Sequence, residues 1–342
     1  MSEAPVKNAV LLLAHGTPDV LGEMSEYLGK VTGGRALPNE VVTELQHRYA
    51  QIGLGETPGR EPPPLTKWTM AQGSLLEEAL KADGIDTKVY VGMRNWRPYI
   101  ADVVGQMRLD GVTRIRAVCL APQNSRTSVG LYRRAVLAAA SGMEVEFVAG
   151  WAEHPLLARA FAERLRPVWQ QACVEAGRRV PVLFTAHSVP CRTIMTVQSS
   201  TATESMQLSP DTYPVEAKRT AELVAEEMTG AGFGERDWYF AFQSQGISGG
   251  PWIGPTVEDT LKAIKEDGGV GVVMQPVGFL CDHVEILYDI DIAFKETARE
   301  LGLKLWRAES LNDSALLIKA LAEIASGKYE ATTYELADVI GV

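Results

Sequence analysis

Residues 10–18 read VLLLAHGTP and residues 182–190 read VLFTAHSVP. Nothing else in the chain narrows its fold as much. Each copy is a short apolar run that ends at once in His, a small residue and Pro. Such a run suits a strand buried on both faces of a parallel sheet, with the His where the chain leaves the sheet. Open α/β sheets bind ligands beyond the carboxyl ends of their strands. A phrase repeated half a chain later therefore predicts two similar units, each presenting an imidazole, His15 or His187, to one cleft.

The halves correspond further. VYVGMRNW (89–96) and IRAVCLAPQNS (115–125) follow the first copy, and WYFAFQSQG (238–246) and VGVVMQPVGF (270–279) follow the second. Amphipathic stretches lie between them. One predicts a helix from Pro214 to Met228 that stops at Gly230. PYIADVVGQMRLDG (98–111) and TVEDTLKAIKEDGG (256–269) both close at Asp-Gly. LNDSALLIKALAEIASG (311–327) reads as a closing helix capped by Asn312 or Asp313. Strands alternating with helices mean βαβ units, so the fold expected is α/β, with two similar parallel-sheet domains around a central cleft. The chain has 342 residues, enough for two such domains. The divisions expected are 1–155 and 156–310, with 311–342 packing back on the first. GLGETPGREPPPLT (53–66) is too rich in Gly and Pro for helix or strand. It is either a lip over a site or a surface insertion.

Composition excludes several classes. The net charge of −10 argues against a nucleic-acid partner. MSEAPVK precedes an apolar run too short for a signal core or a membrane span, so a cytoplasmic protein is expected. Cys119, Cys173, Cys191 and Cys281 are scattered, which suits reduced thiols better than a disulfide framework or a zinc site. No G-x-G-x-x-G follows the first strand and no phosphate-binding G-x-x-x-x-G-K-[ST] loop occurs. AHSVP is not a G-x-S-x-G elbow, which removes Ser188 as a nucleophile.

The chemistry concentrates in PVGFLCDHVEILYDIDIAF (276–294). Asp282 and Glu285 have the spacing of a helix cap and its partner. That leaves His283 and Asp289 unexplained. Glu285 and Asp289 are four apart, and like charges at that spacing cost a helix roughly 0.2–0.5 kcal/mol unless a metal or proton offsets it. His187, His283 and Glu285 mix imidazole with carboxylate, a set that suits Fe(II), Zn(II) or Co(II) rather than calcium. Imidazole beside carboxylate also suits proton transfer near neutral pH. In FQSQGISGGPWIGP (242–255), Gln243 and Ser244 end a strand, and Trp252 is either a core anchor or a flat wall for an aromatic ligand. Arg94 and Arg97 either pair with carboxylates or remain solvated.

AHGTP, TAHSVP, QS followed by PWIGP, and GFLCDHVEILYDID, in that order over nearly the whole chain, resemble the ferrochelatases. The resemblance implies two Rossmann-like (flavodoxin-like) domains and the insertion of Fe(II) into a porphyrin during haem biosynthesis. It implies catalytic roles for His187 as main proton acceptor, Glu285 as the carboxylate across the cleft, and His283 as the residue tuning Glu285. It places Asp289 on an acidic line for iron or protons, and Trp252 and Phe279 on the porphyrin walls. Arg94, Ser125, Gln243 and Ser244 are further expected porphyrin contacts. His15 stands where soluble relatives place a Tyr that touches the metal from the opposite face. The metal-contacting set is thus His187, Glu285, Asp289 and His15. Ala293 replaces the acidic residue with which relatives continue the line. No Cys follows Cys281, so no [2Fe-2S] cluster is expected, nor an organic cofactor. RNW at 94–96 favours the branch that uses coproporphyrin III over protoporphyrin IX.

The implied partners are a porphyrin, ferrous iron and, in transient contact, other enzymes of the same pathway. Two alternatives stand beside this reading. One is a non-catalytic haem or tetrapyrrole carrier with His15 as axial ligand; the other is a cobalt chelatase.

Overall fold

A computed structural model describes residues 7–194, 211–246 and 250–330. The tail from 331, the ESMQ segment before the mid-chain helix, and residues 247–249 of the PWIGP motif's approach lie outside the described residues.

The first half runs β1 (Asn8–Ala14), α1 (Met24–Val31), α2 (Asn39–Gln51), α3 (Pro64–Ala82), β2 (Lys88–Met93), α4 (Ile100–Leu109), β3 (Arg114–Cys119), α5 (Val129–Ala139) and β4 (Glu144–Val148). The second runs α6 (Pro155–Ala176), β5 (Val182–His187), α7 (Cys191–Ile194), α8 (Tyr213–Met228), β6 (Trp238–Gln243), α9 (Val257–Glu266), β7 (Gly271–Pro276), α10 (Val284–Leu287), a π-helical turn (Asp289–Phe294), α11 (Lys295–Glu300), β8 (Lys304–Arg307) and α12 (Ala315–Ala325). The two sheets have strand orders β2-β1-β3-β4 and β6-β5-β7-β8, which are the same order. Every pairing within them is parallel. The repeated phrase thus forms the equivalent strands β1 and β5. Each lies between the two neighbours where the strand order reverses, the place where such sheets bind ligands.

One apolar cluster joins the halves, taking in Leu12, Leu76, Phe161, Phe184, Val224 and Leu321. The outer face of each sheet has its own core, around Leu11 and Ile115 in the first and Leu183 and Ile290 in the second. Helix α12 packs against α3 and α6.

Several local expectations change. Residues 64–66 are helical, because Pro64 takes the first helical position, where its missing N–H costs nothing. The irregular stretch is therefore 53–63. The mid-chain α-helix ends at Met228 as expected, but a 3-10 turn (Thr229–Ala231) carries the chain past Gly230 to Gly232, whose φ of 81° supplies the left-handed stop. Ser314, not Asn312 or Asp313, caps α12. Asn312 instead takes a left-handed conformation, φ 46°, and points its amide at Asp282.

Candidate active site

His187 ends β5, and the surrounding chain fixes its ring. Tyr213 donates its hydroxyl to the His187 carbonyl (2.9 Å), and Ser188 N–H bonds the Gln243 carbonyl (2.7 Å). His187 Nδ1 bonds the Ser188 carbonyl. That leaves Nε2 toward Glu285, 3.3 Å from Oε1, with about a third of each side chain facing open space. Gly278 allows this approach. A Cβ there would lie 2.9 Å from Ala186 Cα, so the β7 exit could not pass so close to β5 with a larger residue.

Glu285 sits in the first turn of α10. The cap of that turn is His283 rather than Asp282. His283 Nδ1 accepts the Glu285 N–H at 3.1 Å, which accounts for the histidine that the sequence left unexplained. Asp282 turns away and is held by Ser310, Asn312 and Arg307. Gln243 is almost wholly buried. It accepts from Thr185 (2.6 Å) and donates to the Glu285 carbonyl (2.8 Å). Ser244, at φ 61°, donates to Asp289. Gln243 and Ser244 therefore stand behind Glu285 and not on the cavity wall, a correction to their expected contact with the ring. Asp289 is also set back, on the π-helical turn, with Arg48 4.0 Å away.

Burial disfavours charge on both partners of the pair, yet their mutual attraction outweighs it. The Glu285 carboxylate, with smaller help from the Ser188 carbonyl, lifts His187 to about 9. The imidazolium, with His283 and His15 adding to it, holds Glu285 at about 2. At neutral pH the pair is imidazolium and carboxylate. Burial raises Asp289 to about 6 against the pull of Ser244, and it lowers His283.

The pair opens on a cavity of about 670 Å³ between the halves, well within the size of small-molecule sites. Phe279 and Trp252 line it beside His187, with the Phe279 ring edge-on to both His187 and His283. The opposite wall carries His15, Arg94, Ser125 and Tyr132. The Gly- and Pro-rich segment lines the rim from Gly53 to Pro63, so it is a lip and not a surface insertion. Arg94 lies over the Tyr132 ring, and its buried Nε has no hydrogen-bond partner. Arg97 takes the other option and pairs with Glu23.

His15 differs from the expected metal ligand. Its Nε2 is 2.9 Å from Asn95 Nδ2, and its Nδ1 is 3.2 Å from both the Gly16 carbonyl and the Tyr27 hydroxyl. With the proton on Nδ1, Nε2 accepts from the amide. With the proton on Nε2 and the amide turned over, Nδ1 accepts from Tyr27. Neither tautomer leaves a free lone pair. Burial and then Arg94 lower His15 to about 4, so the ring is neutral. Among the described residues no three of His, Cys, Asp and Glu converge as a metal-holding group, so the expected set of four does not form a closed site. Asn95 and the cavity tyrosines 27, 49, 132 and 213 went unnoticed in the sequence. Only Asn95, inside RNW, and Tyr213, at a helix start, stood next to segments already under scrutiny.

Fold and site together define a chelatase-type protein. The cobalt complex of the sirohydrochlorin chelatase SirB from Bacillus subtilis subspecies spizizenii aligns over 94% of this chain and 97% of its own, with TM-score 0.53 at 11% identity. The chain belongs to the ferrochelatase family: the family model described as Ferrochelatase matches residues 7–329. A ferrochelatase of Acidobacterium capsulatum is 58% identical over 319 residues, 93% of each chain. A coproporphyrin III ferrochelatase of Geobacillus kaustophilus is 30% identical, covering 92% of this chain and 94% of its own.

Proposed function

We propose that this protein is a lyase that inserts Fe(II) into a porphyrin in haem biosynthesis, with coproporphyrin III preferred to protoporphyrin IX. The observation that carries the reading is the His187–Glu285 pair, 3.3 Å apart on the wall of a cavity beside Phe279 and Trp252. A flat apolar ring fits between such walls, and the pair faces its centre. Arg94 brings a cation to the opposite wall and Ser125 a hydroxyl. Coproporphyrin carries four carboxylates to protoporphyrin's two, and so gains more from that wall.

Metallation breaks two pyrrole N–H bonds, forms bonds from iron to the ring nitrogens, leaves iron as Fe(II), and releases two protons. The His187–Glu285 pair holds one proton at rest. It must shed that proton before the imidazole can accept one from a pyrrole. Divalent iron at the Glu285 carboxylate withdraws the charge that retains the imidazolium proton, and so favours its release. His283 and Gln243 hold Glu285 in place meanwhile. Asp289, behind Glu285, extends the acidic path. Walls that fit a puckered ring better than a flat one would lower the barrier, at a ground-state strain of ~1–5 kcal/mol. The reading includes a cytoplasmic location and no [2Fe-2S] cluster; no helix among the described residues is long and apolar enough to cross a membrane.

The test is anaerobic incubation with Fe(II) and each porphyrin, followed through the Soret and Q bands. Turnover beyond one equivalent, faster with coproporphyrin III and lost in His187→Ala, supports the reading. Stoichiometric binding that survives His187→Ala makes the protein a carrier instead.

A further inference from the structure

The approach to α8 reaches across the cleft. Asp211 and Glu216 are carboxylates that are 5% and 4% exposed. Asp211 Oδ2 accepts the Arg126 N–H at 2.9 Å, and Glu216 Oε2 accepts the Asn124 N–H at 2.7 Å. Both N–H groups lie between β3 and α5, in the segment whose Ser125 and Thr127 line the cavity. The remaining oxygens are also occupied, by the Tyr213 N–H on Asp211 and the Thr212 hydroxyl on Glu216. The same turn holds the facing wall, where Tyr213 bonds the His187 carbonyl. Gln123 adds a parallel tie, donating to the Thr220 hydroxyl and the Val277 carbonyl, each at 3.1 Å.

Among the described residues neither carboxylate has a Lys or Arg within ion-pair distance. Burying an anion without a cation is costly, and at Glu216, whose second partner is a hydroxyl that can turn, an amide would fill the same space without that cost. What the charge adds is strength: hydrogen bonds to a carboxylate are about twice as strong as neutral ones. We infer that Asp211 and Glu216 form a clasp that holds the 123–128 wall at a fixed distance from His187 and so sets the width of the cavity for the ring. Neither lines the cavity, so both are positioning residues, and the inference rests on the porphyrin reading of that cavity. The clasp is sensitive to acid. Burial first, then repulsion from Asp211 and Glu153, lifts Glu216 to about 7. Burial also raises Asp211, against the Arg126 guanidinium and the two N–H bonds. Glu153, from the segment before α6, is itself paired with Arg219.

Glu216→Ala and Glu216→Gln test the clasp in the full chain. Hydrogen exchange of the Asn124 and Arg126 amides is read first, on ligand-free protein and corrected for intrinsic rates, so it stands whatever turnover does. In Glu216→Ala, Asn124 protection should fall about tenfold, the loss of one charge-assisted bond. In wild type it should fall as pH drops from 8 to 6, and in Glu216→Gln it should not respond to pH. In steady state, the porphyrin KM of Glu216→Ala should rise about tenfold with kcat within about twofold. If Ala does not fold, the isosteric Gln variant decides alone through its pH profile. Protection and KM that follow wild type in both variants, at every pH, overturn the clasp. Wild-type protein that shows the exchange pattern but no metallation overturns the porphyrin reading instead.

Discussion

Gln243 donates its side-chain N–H to the Glu285 carbonyl at 2.8 Å, so the end of one strand holds the backbone of the cavity carboxylate on another segment. The amide has no freedom to do otherwise, since Thr185 occupies its oxygen at 2.6 Å. Gln243→Leu would leave the Thr185 hydroxyl and the Glu285 carbonyl buried without partners. A stability loss of ~1–3 kcal/mol in urea unfolding is expected. Turnover should fall more than porphyrin binding does, because Glu285 loses its placement and the walls do not. Equal losses in both would count against a positioning role.

The His187–Glu285 pair sets a pH window. The folded pKa of His187 is raised from 6.5 to about 9, so its stabilising share is complete below 6.5 and is lost as pH rises through 9. Glu285 is depressed from 4.5 to about 2, so its share is present above 4.5 and is lost as pH falls toward 2. The Tm gap between wild type and Glu285→Gln should therefore be widest between 4.5 and 6.5. Histidine NMR offers the direct check. Without the carboxylate, burial of His187 is opposed only by the weaker pull of the Ser188 carbonyl and Asp289, and its midpoint should fall well below 9. A midpoint that stays put would separate the two residues energetically.

His15 should stay off the metal while Asn95 holds it. Ferric haem added to His187→Ala, which removes the facing imidazole, should be high-spin by its Soret and charge-transfer bands. In Asn95→Ala/His187→Ala the freed Nε2 should ligate, and with imidazole added to fill the facing position the spectrum should turn low-spin. A low-spin wild-type complex that survives His187→Ala would mean His15 ligates despite its hydrogen bonds.

The lip from Gly53 to Pro63 lines the cavity and, among the described residues, makes no hydrogen bond to the His187–Glu285 pair. Replacing residues 57–62 with Gly and Ser keeps its length and removes the stiffness of two prolines, Pro58 and Pro62. An ordered lip then costs more entropy to close, on the order of 1 kcal/mol per residue newly ordered. Porphyrin KM should rise, with kcat nearly unchanged. A fall in kcat at constant KM would place the segment in the chemistry instead.

The repeated phrase made both sheets legible, because an apolar run ending in His can be read without tertiary information. The PWIGP and DHVEILYDID segments supply Trp252, His283 and Glu285 to the cavity lining, as their composition led one to expect. What escaped was direction. Gln243 ends β6 and Ser244 follows it within one motif, yet Gln243 turns to the Glu285 carbonyl and Ser244, in a left-handed conformation, to Asp289. His283 caps α10, a task for which Asp282 is the commoner residue, because Asp282 is already claimed by Arg307, Ser310 and Asn312. The binding of His15 by Asn95 joins positions 80 apart in sequence, and nothing local announces it.

Identical strand order has carried two imidazoles to equivalent places and then given them opposite fates. Burial and Arg94 keep His15 neutral while an amide holds its ring, and a carboxylate keeps His187 charged. A flat disc bound between them, though nearly the same on its two faces, would meet a front and a back, and the protein alone would set the two apart.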